Sequence, residues 1–103
     1  MDKEPKMKKI TGADARNLRL SLGLNQSEFW AKVGVIQSVG SRYETGRAIP
    51  APVQMLLHII HFEGLDPRRL KRDVHDVGLH LRNNDPKLYE TIKQQLHKEE
   101  AVV

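Results

Sequence analysis

The 103-residue chain contains no cysteine. This rules out a disulfide framework and thiolate chemistry, and it suits the reducing cytoplasm, which is the expected location. No apolar run approaches the roughly 18 residues of a membrane-crossing helix, and the N-terminal MDKEPKMKKI is too polar for a signal peptide. No membrane partner is therefore expected. Internal repeats, low-complexity tracts and sustained strand alternation are also missing, so the chain reads as all helical. No Ser-His-Asp set and no phosphate-binding loop occurs, and neither an enzyme nor a bound cofactor is expected. Five histidines are present, but a metal site needs three or four ligands. His58 and His61 are three apart and Asp76 and His80 four apart, with no third ligand indicated for either pair. No metal is assigned.

Charge is what the chain does have. Lys and Arg number 17 against 13 Asp and Glu, a net charge of +4. Residues 1–50 hold nine basic and five acidic residues, while residues 51–103 hold eight of each. The excess positive charge thus lies in the N-terminal half, a bias suited to a polyanionic partner. Lys3, Lys6, Lys8 and Lys9 form a basic arm over residues 1–10, either a reach toward phosphates or a minor groove, or a solubilising tail.

Helix signals follow in close order. Thr11 with Asp14, and Asn25 with Glu28, have the spacing of reciprocal capping boxes. They predict helices over about 13–22, ending at Gly23, and from 26 to about 33, ending at Gly34. A third helix is expected from near Gln37 to Gly46. A fourth, VQMLLHIIHF, has proline in its first turn and is apolar on nearly all sides, marking it as a core element or a contact surface. Asp66-Pro67 and Asp85-Pro86 each pair a cap with a first-turn proline. The first is expected to open a helix with Leu70, Val74, Val77 and Leu81 on one stripe. The second opens one with Leu88, Tyr89, Ile92 and Leu96. The charged run RRLKRDVHDVGLHLRNND reads as a solvated helix face, since Asp73 and Asp76 interrupt its cations. A compact bundle of about five to six helices is expected, with residues 11–64 as its main domain. Residues 65–103 form a helical extension that packs on that domain or mediates dimerisation.

At about 100° per residue, Gln37, Ser38, Ser41 and Arg42 cluster on one side of the third helix, while Val39, Gly40 and Tyr43 fall on the other. Gln and Arg can each make two parallel hydrogen bonds to one base edge, Gln to adenine and Arg to guanine.

The stretch LRLSLGLNQSEFWAKVGVIQSVGSRYETG resembles the lambda-repressor-like helix-turn-helix family, the Cro or xenobiotic-response-element type. The resemblance rests on Leu18-Arg19, Gly23-Leu24-Asn25-Gln26, the turn glycine Gly34, Tyr43-Glu44 and Gly46. It implies a second helix across the DNA backbone and a third in the major groove. By the same resemblance Gln37, Ser38 and Arg42 read bases, with Ser41 at the groove edge. Gln26 hydrogen-bonds a phosphate, and Arg19 and Glu44 form an internal ion pair. Arg47, just past the motif, is a further candidate for a backbone phosphate.

Two positions depart from the family pattern. Trp30 stands where alanine is usual, and Gly40 where isoleucine or valine fills the same helix crossing from the other side. The expectation is a volume exchange, with the indole occupying the space left at Gly40.

The resulting expectation is a sequence-specific binder of double-stranded DNA. It is a transcriptional regulator, a repressor acting as a homodimer on half-sites roughly 34 Å apart. An alternative is a protein-binding module such as the antitoxin half of a toxin pair, which can also bind DNA. RNA binding would call for exposed aromatics. With Trp30 and Tyr43 expected to face inward, only Tyr89 and Phe29 or Phe62 remain for it.

Overall fold

The computed structural model describes residues 7–102. Six α-helices, a π-helical turn and a 3₁₀ turn make up the regular structure of the described residues, with no strand among them. The chain forms two compact units, Met1–Pro67 and Arg68–Val103.

In the first unit, α1 (Gly12–Ser21) begins at the Thr11–Asp14 capping box. The Asp14 backbone N–H donates to Thr11 Oγ1 at 3.1 Å, and the Thr11 N–H donates to Asp14 Oδ2 at 3.0 Å. The backbone hydrogen bond from Thr11 is the main reason the Asp14 carboxyl lies below its ordinary value. Gly23, at φ 71°, turns the chain out of α1 in the left-handed region. Helix α2 (Gln26–Ala31) opens on the Asn25–Glu28 box, with bonds of 2.8 and 3.2 Å. It is shorter than the sequence predicted, because the Val33 N–H bonds back to Trp30 at 3.1 Å and tightens the last turn ahead of Gly34. Helix α3 spans Gln37–Glu44 and α4 spans Ala51–Leu57, with a proline in the first turn of α4.

The apolar run after Pro52 does not continue as one α-helix. Residues His58–Phe62 form a π turn, closed by Glu63 N–H to His58 O at 2.8 Å. Nor is the segment buried on all sides. Leu57 is fully buried, whereas Met55, Leu56 and Phe62 are exposed. The wider turn has a role in packing. His61 is buried, stacked on Phe29 with ring centroids 3.9 Å apart, and donates from Nε2 to the Phe29 carbonyl at 2.8 Å. Burial disfavours the imidazolium and lowers the His61 pKa from 6.5, more than that hydrogen bond raises it.

Ile10, Ala15, Phe29, Trp30, Val33, Tyr43, Ile49 and Leu57 form the core of this unit. Ile10 is clamped to α4 through both its backbone groups: its N–H donates to Gln54 Oε1 at 2.7 Å and its carbonyl accepts from Gln54 Nε2 at 2.6 Å. Lys3 and Lys6 of the basic arm lie outside the described residues; Lys8 and Lys9 are exposed.

In the second unit, α5 (Arg72–Asn84) and α6 (Pro86–Val102) pack against each other. Asp85 caps α6 as its pairing with proline predicts, its Oδ1 accepting from the Leu88 N–H at 3.2 Å. Asp66-Pro67 behaves differently. Only a 3₁₀ turn follows, Pro67–Arg69, and the α-helix waits until Arg72. A helix through this region would stack Arg68 on Lys71 and Arg72, and Arg69 on Arg72, placing like charges at three- and four-residue spacing. Starting at Arg72 gives that residue Asp76 one turn on, at 3.5 Å. Leu70 therefore precedes the helix and does not share its stripe.

Candidate nucleic-acid interface

Helix α3 is set by its inner face. Gly40 and Tyr43 are buried and Val39 is half-buried, so Gln37, Ser38 and Arg42 are turned outward and exposed, with Ser41 half-buried at the margin. Gly40 lies directly under the Trp30 indole: a Cβ built there would fall against Cγ, Cδ1 and Cδ2 of the ring. Trp30 is fully buried, edge-on to Phe29 at 5.2 Å and tilted against Tyr43 at 5.5 Å.

One carboxylate organises what lies beneath this outer face. Glu44 Oε1 accepts from Arg19 Nη2 at 2.9 Å and Gln26 Nε2 at 3.3 Å; Oε2 accepts from Arg19 Nε at 3.0 Å and Trp30 Nε1 at 2.7 Å. The Glu44 side chain is only 2% exposed. Burial alone would push its pKa up, but the bonds from Arg19, Trp30 and Gln26 outweigh burial and hold the carboxyl below its ordinary value. Arg19 uses its remaining reach to donate from Nη1 to the Leu24 carbonyl at 3.1 Å, joining α1 to the entry of α2.

The network extends outward to the surface of α3. Gln37 Nε2 donates to Gln26 Oε1 at 2.8 Å, while Gln26 itself donates to Glu44. A primary amide carries two N–H donors and one carbonyl acceptor. Gln37 thus keeps its carbonyl and one N–H for a partner outside the chain. Gln26 keeps one N–H, enough for a phosphate oxygen. The two glutamines fix each other's orientation while leaving these groups available. Arg42 and Arg47 are exposed.

Sequence reasoning passed over two residues here. Ile36 stands at the N-cap of α3, makes no side-chain cap and is 69% exposed. The signal was present, since an aliphatic residue occupies a position where Ser, Thr, Asp or Asn is favoured. Gly12 is the other: a Cβ there would overlap the Tyr43 carbonyl, so glycine lets the start of α1 meet the end of α3. Of the aromatics considered for RNA stacking, Phe29 is fully buried, whereas Phe62 is exposed and Tyr89 half-buried. Among the described residues no group of three or more His, Asp or Glu could hold a metal ion, and no helix is long and apolar enough to cross a membrane.

Residues 16–60 match the family model described as the RsaL-like helix-turn-helix domain. No curated protein and no solved structure matches the chain. The matched span runs from α1 into the π turn and contains α2, its turn and α3. These residues form a helix-turn-helix domain.

Proposed function

We propose that the chain is a sequence-reading regulator of transcription that binds double-stranded DNA as a homodimer and acts as a repressor in the cytoplasm, without catalytic activity of its own. The observation that carries this reading is the outward face of α3 within the matched domain. There Gln37 is held by Gln26 and still has its carbonyl and one N–H for a base edge. In this reading α3 enters the major groove and α2 lies across the backbone. Gln37, Ser38 and Arg42 contact bases; Gln26, Ser41 and Arg47 contact the backbone. Ile36, exposed at the leading end of α3, offers an apolar contact to a thymine methyl.

The test is selection from randomised duplexes with the full chain at two salt concentrations. A two-fold symmetric site, bound more weakly at higher salt, is the expected result. Gln37→Ala and Arg42→Ala should then each weaken binding by about 1–3 kcal/mol and relax preference at one base position. Arg47→Ala should weaken all sequences alike and flatten the salt dependence. Absence of duplex binding at either salt would overturn the reading.

A further inference from the structure

Six of the seven glycines are accounted for within the chain. Gly23, Gly34, Gly46 and Gly64 have positive φ, and a Cβ at Gly12 or Gly40 would strike Tyr43 or Trp30. Gly78 fits neither case. It sits in the middle of α5 with no positive φ, and nothing lies within 4 Å of where its Cβ would be. Glycine is among the poorest helix formers, and an interior helical glycine with open space above it leaves room for another backbone or side chain to come close.

The surroundings of Gly78 favour such an approach. Val77, Leu81, Val74 and Gly78 occupy about 100° of the α5 circumference. Val74 and Val77 are 66% and 67% exposed. Gly78 is the floor of a groove lined by Val74, His75, Leu79, Arg82 and the α6 residue Tyr89. Leu88 and Leu96 of α6 are exposed as well. No described residue of the second unit is buried, so the apolar face of α5 has no second layer within this unit.

We infer that the α5–α6 hairpin is the dimerisation surface, with Val74 and Val77 of one copy closing over Gly78 of the other. A second copy is the occupant for two reasons. Residues 72–102 carry five Lys or Arg and six Asp or Glu, so two copies meet without repulsion and a polyanion is not attracted. The helices have 13 and 17 residues, hence lengths of about 20 and 25 Å, and side by side they present a face of the same order as the roughly 800 Å² per partner of a standard interface. This deepens the homodimeric reading above and places the contact outside the matched residues 16–60.

The experiment is sedimentation equilibrium of the full chain without DNA, for the wild type, Gly78→Leu and Val77→Lys. The wild type should sediment at twice the 11.8 kDa chain mass. Gly78→Leu fills the groove with a better helix former, so its helical circular dichroism should hold or rise while the dimer dissociation constant increases about ten- to hundredfold. Val77→Lys should shift the same way. A monomeric wild type, or an undiminished dimer in both variants, would overturn the inference. Duplex binding measured on the same samples separates the two claims: a dimer disrupted by Gly78→Leu, with no DNA binding even by the wild type, defeats the DNA reading and leaves this surface standing.

Discussion

The two units place comparable helices in contrasting circumstances. The first unit uses short helices of six to ten residues, too short to persist alone, and fixes them by burying Trp30, Phe29 and Leu57 completely and by drawing four hydrogen bonds onto Glu44. The second has the two longest helices and a well-placed cap at Asp85, yet none of its described residues is buried. Local helix signals and tertiary fixation are therefore separable in one chain. Where packing is dense, even a surface side chain such as Gln37 is tied through Gln26 to the buried Glu44; where it is absent, an apolar face is left to be covered.

The largest expected effect tests whether the dense unit really depends on the Trp30–Gly40 contact. Trp30→Ala should cost about 3–5 kcal/mol, as expected for removal of a large buried aromatic. Gly40→Val should also destabilise, because its side chain would enter space the indole fills. The double variant should recover part of the combined loss. Urea unfolding followed by circular dichroism measures all four corners of the cycle, and strictly additive losses would refute the compensation.

Next in size is the ion pair. Arg19→Ala leaves the Glu44 carboxylate, 2% exposed, without its cation, a loss of about 3–5 kcal/mol if Trp30 and Gln26 cannot substitute. The lowered pKa of Glu44 sets the pH dependence. Its folded-state value lies below its ordinary value of 4.5, so the stabilisation is complete above about pH 4.5 and is lost as the pH falls through the lowered value. Glu44→Gln should be less stable at neutral pH and show a shallower fall in stability over that acid range. An unchanged acid limb in Glu44→Gln would place the acid sensitivity elsewhere.

Much of this contrast could be read along the chain, and the exceptions share a cause. Both capping boxes, the left-handed Gly23 and the start at Asp85-Pro86 depend on neighbours within four residues, and each forms where the sequence placed it. The inward Gly40 and Tyr43 follow from helical periodicity. What sequence did not disclose depends on distant partners. The Trp30 N–H finds Glu44 fourteen positions away, Gln54 clamps Ile10 across forty-four, and the π turn serves a histidine whose partner, Phe29, is thirty-two residues earlier. Asp66-Pro67 failed for the opposite reason: a correct local start signal was overridden by the four cations that follow it within five residues.

The smallest effect sharpens the comparison from the other side. Asp85→Ala removes the side-chain acceptor for the Leu88 N–H at the start of α6, a loss of about 1 kcal/mol for a helix cap. In the densely packed unit such a change would be shared across the core; in the second unit little buried contact exists to absorb it. Trp30 is the single tryptophan of the chain and lies in the first unit, so its fluorescence follows that unit alone, whereas circular dichroism at the helical band follows both. Asp85→Ala should lower the helical signal and bring its loss to lower urea, while the Trp30 transition keeps its midpoint. If both midpoints move together, the units unfold as one cooperative body and the separation of local signal from tertiary fixation fails.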